Sequence, residues 1–442
     1  MRGQIKTNPE RAVLEIGRVS RFEGSLTPPG DKSISHRALL LGAIASGVSR
    51  FMGCSDCLDV NSTRDALTTL GIRIESLSPS EIRIHGVGTP ANFQPPMTTL
   101  DCGNSGTTAR LLPGLLPLAP FETCLTGDDS LRRRPMERVL APLRAMGAEF
   151  LETHRKGHLP LRILAPRPLH GTTIALSVPS AQVKSAILIA GAFASGETIL
   201  CETWPLRDHT ERMLSAMGAD FDRFGTMRRI RGGRPLRPVE FTIPGDPSSA
   251  AFFIVGAAIH PGSHLQIRNV SLNPTRIGFL RILQRMGTKI QLSTRENKDW
   301  EPSGDIDVTY APLQGTDILE TEVPSVIDEL PALAVAMTFA ASPSRVFGAS
   351  ELRVKESDRL SALVQEFRAF GIEMTEYPDG FALPGNAQPS APKEIRHNDD
   401  HRIAMALAIL ATCSEGTTRL GGADCMDVSL PGFTKLLGGV IQ

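Results

Sequence analysis

Cationic and hydroxyl side chains recur at the predicted starts of buried helices, and these are the residues that could do chemistry. The first cluster is Gly30-Asp31-Lys32-Ser33, which runs into an apolar helix that carries Arg37. A glycine turn at a helix start offers backbone N–H groups and the positive end of the helix dipole to an anion. Lys32 adds a point charge, and Arg37 adds a guanidinium fork that fits phosphate or carboxylate. The alternative is a capped helix with surface cations, and one such cluster does not decide between the two.

Six further clusters share this position, each close to the start of an apolar stretch. They are Asp101–Thr108, Arg132–Pro135, Ser180–Lys184, Arg207–Glu211, Lys355–Arg359 and Asn398–Arg402. Taken singly, each has an ordinary explanation, such as a solvated run of arginines with Pro135 at a helix N1 position. The helix dipole favours acids at these ends, however, so each cation placed there costs on the order of 0.3–1 kcal/mol unless an anion compensates it. Because the whole set shares one position, it predicts a small polyanionic substrate with more than one phosphate or carboxylate.

Two carboxylates set among these cations could transfer protons. Glu356 lies inside the Lys355–Arg359 cluster, and Asp328 lies between apolar residues in the segment Val326–Pro331. For Asp328, a satisfied helix cap is a serious alternative. The sequence contains no Walker pattern, dinucleotide fingerprint or metal triad.

An internal repeat indicates the framework that must position these residues. The segment Pro29–Arg37 recurs in outline at Pro244–Ala251, and both copies run into an Ala-rich apolar helix. The second copy has no charged counterparts of Lys32, His36 and Arg37. The framework is therefore repeated while the chemistry is not, which predicts a site between two related halves.

A finer repeat is a glycine that follows the apolar end of a helix about every 70 residues. Such a glycine is the expected left-handed residue after a helix, because it lacks the Cβ clash. Most of these glycines precede a short alternating strand. Six α/β units, three per half, are the simplest account. The glycines are Gly71, Gly147, Gly218, Gly287 and Gly371, with a weaker case at Gly438.

Three segments with small-residue faces are apolar nearly all round, so we expect buried helices inside the sheets. They are 186–194, 332–340 and 403–411. The Pro-Gly turns near residues 26–31 and 243–248 are the candidate crossings between the halves. We therefore expect one domain of residues 31–245 and a discontinuous domain of residues 1–30 plus 246–442.

Length and composition narrow the function classes. A chain of 442 residues exceeds one ordinary core, and 41% hydrophobic with 21% charged residues is globular. Lys+Arg and Asp+Glu balance at 47 each, which argues against a nucleic-acid-binding surface. Seven cysteines predict reduced thiols in the cytoplasm, and we interpret the lone pair Cys54 and Cys57 as incidental buried thiols. Neither a secretion signal nor a bilayer-spanning run is visible, so we expect a cytoplasmic monomer with no membrane partner.

These segments together resemble the 5-enolpyruvylshikimate-3-phosphate synthase family, and the resemblance runs from about residue 20 to 440. It implies an α/β protein of two similar domains, each of three βαβαββ-type units with buried helices. In this inside-out α/β barrel fold the two domains close over the site. The matching segments are Pro29–Arg37, Leu100–Thr107, Leu125–Met136, Ser180–Lys184, Ile327–Leu330, Leu352–Leu360 and Asp399–Met405.

The resemblance also implies a reaction and its substrates. The 5-hydroxyl of shikimate 3-phosphate would add to phosphoenolpyruvate, and the tetrahedral intermediate would then lose inorganic phosphate, without a metal or an organic cofactor. Asp328 would take the proton from the hydroxyl, and Glu356 would exchange a proton with the methylene carbon, assisted by Lys32. Asn104 and Asp328 would also contact substrate. Shikimate 3-phosphate would be held by Lys32, Ser33, Arg37, Ser180, Ala181, Gln182, Arg207 and Lys355. Phosphoenolpyruvate would lie against Lys32, Gly106, Arg134, Gln182, Arg359 and Arg402.

Four patterns are similar to the class II, often glyphosate-tolerant, members of that family. They are Gly30–Ser33, Ser180–Lys184, Arg207–Glu211 and Asn273–Arg276. Gly106 stands where some tolerant enzymes carry Ala, so tolerance is a hypothesis. The lysine that some members place near the C-terminus is replaced around Val428–Pro431, and no phosphoenolpyruvate-binding lysine is assigned there.

Two other functions stay open at the level of sequence. The sister enolpyruvyl transferases acting on UDP-N-acetylglucosamine carry an Asn-containing segment where this chain has Asp31-Lys32-Ser33, and usually a loop cysteine. Neither Cys102 nor Cys124 lies in a matching loop. A non-catalytic anion-binding relative is the other possibility. Four intact residues argue against it, namely Lys32, Asp328, Glu356 and Arg402.

Overall fold

The computed structural model describes residues 5–8, 13–295 and 300–442. The chain divides into two compact units. The inner unit consists of Gly30–Ile243 and Asn297–Glu301. The terminal unit consists of Met1–Pro29, Pro244–Glu296 and Pro302–Gln442.

The strands of the described residues are short, mostly of three to eight residues. They are β1 Ile5–Asn8, β2 Val13–Gly17, β3 Glu23–Leu26, β4 Ser46–Met52, β5 Arg73–Ser78, β6 Glu81–Val87, β7 Leu100–Asp101, β8 Thr123–Thr126, β9 Glu149–Glu152, β10 Leu161–Leu164, β11 Thr173–Ala175, β12 Glu197–Cys201, β13 Asp220–Phe224, β14 Met227–Arg231, β15 Glu240–Thr242, β16 His264–Ser271, β17 Lys289–Thr294, β18 Ser303–Thr309, β19 Asp317–Ile318, β20 Ser344–Val346, β21 Thr375–Tyr377, β22 Gly380–Leu383, β23 Glu394–Ile395 and β24 Thr417–Leu420.

The α-helices are interspersed among these strands along the chain. They are α1 Lys32–Ala43, α2 Leu58–Thr69, α3 Gly106–Leu111, α4 Asp129–Arg133, α5 Glu137–Ala145, α6 Ala181–Gly191, α7 His209–Ala216, α8 Pro247–Ile259, α9 Gly278–Arg285, α10 Val323–Val326, α11 Leu330–Thr338, α12 Arg359–Ala369, α13 His401–Ala411 and α14 Phe433–Val440.

Among the residues that the structure describes, each unit contains three four-stranded sheets, and these six sheets share one pattern. An edge strand pairs in parallel with the second strand, and the remaining pairs are antiparallel. The sheet β11-β12-β14-β13 shows the unit in sequence order, since α6 connects its parallel pair and α7 leads into its antiparallel hairpin. This is the βαβαββ arrangement that the family resemblance implied. The sheet orders are β15-β4-β6-β5, β7-β8-β10-β9 and β11-β12-β14-β13 in the inner unit, and β1-β2-β24-β23, β17-β18-β16-β3 and β19-β20-β22-β21 in the terminal unit.

Several helices are buried on all sides within their unit. Every residue of α8 and α13 is buried, and α8, α11 and α13 pack against one another in the terminal unit. The three predicted apolar helices are present as α6, α11 and α13, although α6 ends at Gly191 and α11 at Thr338. Burial on all sides explains their nearly continuous apolar sequence.

Five of the six predicted helix-ending glycines have positive φ angles, between 75° and 110°. The prediction for Gly438 is wrong, because α14 continues through it to Val440. Leu437 and Val440 are buried, so packing holds the last turn of this helix in place despite the glycine. Within residues 5–8, 13–295 and 300–442, no helix has the length and apolar character needed to cross a membrane.

Candidate active site

Lys32 is the first residue of α1 in the inner unit. The helix begins there because the Asp31 carboxylate accepts a hydrogen bond from the Ile34 N–H at 2.9 Å. The Lys32 ammonium lies 2.7 Å from Asp59 Oδ2, and the side chain is 15% exposed. The sequence analysis missed Asp59. An acid in the first turn of α2 is already explained by the helix dipole, so it gave no separate signal.

The Arg37 guanidinium is buried where three helices meet. Its Nε donates to Thr210 Oγ1 in α7, and its Nη2 donates to Ser185 Oγ in α6, both at 2.7 Å. Its Nη1 donates to the Ser33 carbonyl, also at 2.7 Å. These three hydrogen bonds fix the orientation of Arg37, which the sequence analysis predicted as a site residue.

A second turn at the start of α3 brings Asn104, Gly106 and Arg134 together. Arg134 Nη2 donates to Asn104 Oδ1 at 2.5 Å, and its Nη1 donates to the Asn104 carbonyl at 3.2 Å. A Cβ on Gly106 would lie 2.7 Å from Arg110 Nη1 and 3.3 Å from Arg134 Nη1. Glycine therefore allows two guanidinium groups to approach the backbone, which creates a positive turn suited to an anion.

Arg110 is a further buried cation that the sequence analysis missed. Its Nη1 donates to Gln182 Oε1 at 3.0 Å, and Gln182 Nε2 donates to Thr107 Oγ1 at 3.0 Å. Gln182 lies in the first turn of α6, directly after Ala181, and Ser180 caps that helix. The Ser180–Gln182 turn is thus tied to the Gly106 turn. Arg110 gave no signal because a cation near the C-terminal end of a helix is ordinary.

Arg207 directly precedes Asp208, the N-cap residue of α7. The carbonyl of Leu206 accepts a hydrogen bond from Lys184 Nζ at 3.3 Å. The Arg207 side chain is partly exposed. Arg207 lies in the inner unit, as do Lys32, Arg37 and Gln182.

The predicted location of the arginine run Arg132–Pro135 before a helix is partly wrong. Arg132 and Arg133 form the last turn of α4, where the helix dipole favours cations, and both are exposed. The next helix, α5, begins at Glu137, so Pro135 is not at its N1 position. Arg134 is buried, and it is the member of the run that contacts Asn104.

In the terminal unit, the Asp328 carboxylate faces three cations. Its Oδ1 lies 3.4 Å from Lys355 Nζ and 3.8 Å from an Arg359 nitrogen, and its Oδ2 lies 3.9 Å from Arg402 Nη2. Arg402 Nη1 also donates to the Asp328 carbonyl at 2.8 Å. Glu329, and not Asp328, occupies the N-cap position of α11, so the alternative of a helix cap is wrong.

Arg359 connects the second carboxylate, Glu356, to the start of α13. Its Nη2 lies 2.5 Å from Glu356 Oε2, and its Nε donates to Asp400 Oδ2 at 2.7 Å. Burial alone would lower the pKa of the Arg359 guanidinium, but Asp400 and Glu356 outweigh burial and raise that pKa. Asp400 also accepts from the Arg402 N–H at 3.0 Å as the N-cap of α13. The sequence analysis included Asp400 in the Asn398–Arg402 cluster but gave it no role, since capping alone explains an Asp at that place.

A chain of neutral groups lies beside Lys32. Burial, followed by the charges of Lys32 and Arg37, lowers the pKa of His36 well below 6.5. His36 Nδ1 lies 2.7 Å from Thr63 Oγ1, which lies 2.6 Å from Thr108 Oγ1. The helices α1, α2 and α3 are therefore joined by side chains that add no charge to the site.

Two further predictions concern residues outside these clusters. Cys54 and Cys57 are buried free thiols, and burial raises the pKa of Cys54 to about 12, as expected for an unreactive pair. Leu430 is fully buried, which places part of the Val428–Pro431 segment in the core of the terminal unit.

Among the described residues, no three His, Cys, Asp or Glu side chains come together as a metal centre would require.

Comparisons with known proteins identify the family. The family model for EPSP synthase (3-phosphoshikimate 1-carboxyvinyltransferase) matches residues 16–437. A 3-phosphoshikimate 1-carboxyvinyltransferase from Xanthomonas oryzae pv. oryzae is 47% identical over 422 residues, which cover 96% of this chain and 95% of that protein. The enzyme from Xanthomonas axonopodis pv. citri is 46% identical over 419 residues, covering 95% of this chain and 94% of the relative.

Solved structures give the same result and confirm the predicted fold class. An EPSP synthase from Acinetobacter baumannii matches with a TM-score of 0.84 at 40% identity, covering 96% of this chain and 97% of that one. The enolpyruvyl transferase NikO from Streptomyces tendae matches with a TM-score of 0.80 at 18% identity, covering 97% and 98%, and it shows a shared fold. The chain therefore belongs to the EPSP synthase family.

Proposed function

We propose that the two units divide the work of the family reaction, with acceptor binding centred on the inner unit and proton transfer on the terminal unit. The reaction is the transfer of the enolpyruvyl group of phosphoenolpyruvate to the 5-hydroxyl of shikimate 3-phosphate, with release of phosphate. The observation that carries the proposal is the position of Asp328, a carboxylate only 13% exposed that faces three cations. A carboxylate in this position can act as a general base toward a substrate hydroxyl.

The acceptor, shikimate 3-phosphate, is assigned to hydroxyl, amide and cationic groups at the starts of α1, α6 and α7. The contacts that support this are the three hydrogen bonds that orient Arg37 and the two that orient Gln182. Preorganised donors bind an anion without the entropy cost of ordering them at that moment. The assigned residues are Lys32, Ser33, Arg37, Ser180, Ala181, Gln182 and Arg207, together with Lys355 of the terminal unit.

Phosphoenolpyruvate is assigned to cations of both units. In the inner unit, Gly106 leaves room for Arg134 to approach the backbone, with Asn104 holding its guanidinium. In the terminal unit, Arg359 and Arg402 are buried and held by Asp400 and the Asp328 carbonyl. These arginines would neutralise the carboxylate and phosphate of this substrate.

Proton transfer then follows from the two carboxylates. Asp328 removes the proton of the 5-hydroxyl as its oxygen attacks C2, and Glu356 delivers a proton to C3, which forms the tetrahedral intermediate. In the second step Glu356 takes a proton back from the new methyl group while the C2–O bond to phosphate breaks. Each such group typically contributes about 10²–10⁴-fold to the rate. Lys32, held at 2.7 Å from Asp59, stabilises the charge that shifts during both steps.

The test is release of inorganic phosphate from phosphoenolpyruvate, with shikimate 3-phosphate and UDP-N-acetylglucosamine offered in parallel. We expect release with shikimate 3-phosphate alone. Release only with the nucleotide sugar would show that the acceptor site around Lys32 and Arg207 is misassigned. A folded protein that binds phosphoenolpyruvate but releases phosphate with neither acceptor would instead be a non-catalytic relative.

A monomeric, cytoplasmic enzyme is the remaining part of the proposal. All seven cysteines are free thiols, as expected in a reducing compartment. Size-exclusion chromatography with light scattering should give the mass of one chain, 47.6 kDa. Cell fractionation should recover the activity with cytoplasmic markers, and a larger particle or a membrane-bound activity would overturn the corresponding part.

A further inference from the structure

Four buried charged side chains form a cluster in the inner unit, close to the loop that carries Arg207. Lys184 is in α6, Glu202 follows β12, Glu211 is in α7 and Arg228 is in β14. Their side chains are no more than 5% exposed, and two positive charges balance two negative ones. The proposed reaction uses none of the four.

The four groups form one connected cluster. Lys184 Nζ lies 2.6 Å from Glu211 Oε1 and 3.2 Å from Glu202 Oε2. Arg228 Nε lies 2.7 Å from Glu202 Oε1 and 3.7 Å from Glu211 Oε1. Buried ion pairs are often no more stabilising than well-packed apolar residues, because desolvation offsets their attraction. Stability alone is therefore a weak reason for this arrangement.

One contact of the cluster reaches the loop that carries Arg207. The residues between β12 and α7 form neither helix nor strand, so their backbone groups need partners elsewhere. Lys184 Nζ donates to the carbonyl of Leu206 at 3.3 Å, one residue before Arg207. The ammonium therefore joins the start of α6, the Arg207 loop and, through Glu211, the start of α7.

The neighbouring residues repeat this connection one position along each helix. Thr210 Oγ1 donates to Ser185 Oγ at 2.8 Å, next to the Lys184–Glu211 pair. Both hydroxyls also accept hydrogen bonds from Arg37 at 2.7 Å. Two consecutive side-chain pairs thus fix α6 against α7, and the orientation of Arg37 depends on both helices.

We propose that Lys184 is a positioning residue for the acceptor, acting through the Leu206 carbonyl and Glu211 to place Arg207 and Arg37. This inference rests on the proposed function, because it assumes that these two arginines bind shikimate 3-phosphate. Lys184 itself is fully buried and acts without touching substrate. Loss of the Lys184 side chain loosens the acceptor site but leaves proton transfer by Asp328 and Glu356 in place.

The experiment is the double variant K184M/E211Q, which keeps the cluster electrically neutral and so avoids leaving an unpaired buried charge. We expect KM for shikimate 3-phosphate to rise about tenfold or more, as for the loss of one hydrogen bond to a charged group. The KM for phosphoenolpyruvate and kcat should change less than about threefold, because a defect in acceptor binding acts before chemistry. A purely structural role would lower the active fraction and leave KM unchanged.

The matched control is E202Q/R228M, which neutralises the other half of the cluster and retains Lys184 and its bond to Leu206. Its KM for shikimate 3-phosphate should stay within about twofold of wild type, less than one hydrogen bond is worth. Equal KM values for wild type and K184M/E211Q would overturn the inference, as would K184M/E211Q failing to fold while the control folds. Wild-type turnover is measured first. An inactive wild type would mean that the reaction is wrongly assigned, whereas an active wild type with an unchanged KM in K184M/E211Q would mean that the role of Lys184 is wrong.

Discussion

The helices α1 and α8 begin in the same way, yet only α1 carries charged residues suited to substrates. Both follow a Gly-Asp pair, and in both the aspartate caps the helix: Asp31 accepts from Ile34 N–H, and Asp246 accepts from Ser248 N–H at 2.7 Å. In α1 the next residue is Lys32, which remains partly exposed. In α8 all thirteen residues are buried.

The start of α8 is instead closed by an internal network. Arg276, from the segment Asn273–Arg276, donates to Asp246 Oδ1 at 2.9 Å and to Ser248 Oγ at 3.0 Å. Ser248 in turn hydrogen-bonds to Glu329, beside Asp328. One framework has therefore been used twice, once to present cations to a ligand and once to hold the segment that carries the proposed base. The difference teaches that a repeated backbone predicts position, whereas the side chains around it decide function.

The largest effect should come from the proposed base. Asp328→Asn removes the proton acceptor and keeps the shape of the side chain, so kcat should fall by about 10²–10⁴-fold. Steady-state phosphate release measures this. Asp317→Asn is the control, because Asp317 forms an exposed ion pair with Arg345 in the same unit and should keep nearly full activity. Retention of more than a tenth of the activity in Asp328→Asn would remove Asp328 from its role.

The next effect sharpens the contrast at α8. Arg276→Met leaves Asp246 buried without its cation, which should lower the free energy of unfolding by about 3–5 kcal/mol. Urea denaturation measures this, and KM values of the folded enzyme should stay close to wild type. Arg345→Met, which breaks only the exposed pair with Asp317, should cost less than about 1 kcal/mol. A stable Arg276→Met protein with a raised KM would place Arg276 in the binding machinery instead.

A smaller effect should follow from filling the Gly106 turn. In Gly106→Ala the methyl group would press on Arg110 and Arg134, and displacing Arg134 would disturb the cation assigned to phosphoenolpyruvate. We expect KM for phosphoenolpyruvate to rise about tenfold, equivalent to about 1.4 kcal/mol, with KM for shikimate 3-phosphate less affected. Gly438→Ala is the control, since a Cβ there meets nothing within 4 Å. An unchanged KM for phosphoenolpyruvate would exclude Gly106 from that subsite.

The same variant bears on the hypothesis of glyphosate tolerance. The inhibition constant of glyphosate against phosphoenolpyruvate should be measured for wild type and for Gly106→Ala. A low constant for wild type, in the range of sensitive enzymes, would refute tolerance. A high inhibition constant for wild type would support tolerance, which would then depend on features other than an alanine at this position.

The smallest effect concerns the dependence of stability on pH. His36 stays neutral in the folded protein because its pKa lies well below 6.5, whereas the unfolded chain takes up a proton near pH 6.5. Stability is therefore lost as pH falls from about 6.5 towards the folded pKa, by up to about 1.4 kcal/mol per pH unit. His36→Asn, which can still hydrogen-bond to Thr63, should flatten this slope in urea denaturation. His264→Asn, at an exposed site, should leave it unchanged, and an unaltered slope in His36→Asn would mean that the buried ring is not the group responsible.

Much of the fold could be predicted from local physics. The glycines after α2, α5, α7, α9 and α12 end helices because only they accept the left-handed conformation easily. The nearly continuous apolar stretches became α6, α11 and α13 because burial on all sides leaves no place for a polar face. Gly438 failed as a signal, since packing of Leu437 and Val440 outweighs the weak preference of glycine to end a helix.

The candidate site was only partly predictable. Cations at helix starts, such as Lys32 and Arg402, conflict with the helix dipole and therefore give a signal. The further site residues Asp59, Arg110 and Asp400 give none, because a local rule explains each of them at its own position. Contacts such as Lys184 with the Leu206 carbonyl depend on how two distant segments pack, and no spacing in the sequence encodes that.

The most direct test of the division between the units is calorimetric titration of shikimate 3-phosphate into two variants. Lys32→Met removes a proposed phosphate-binding cation of the inner unit, and Asp328→Asn removes the base of the terminal unit. The account predicts that Lys32→Met binds shikimate 3-phosphate about tenfold or more weakly, as for the loss of a hydrogen bond to a charged group. Asp328→Asn should bind it at least as well as wild type, because three cations lose a competing carboxylate. Normal binding by Lys32→Met with loss of binding by Asp328→Asn would contradict it.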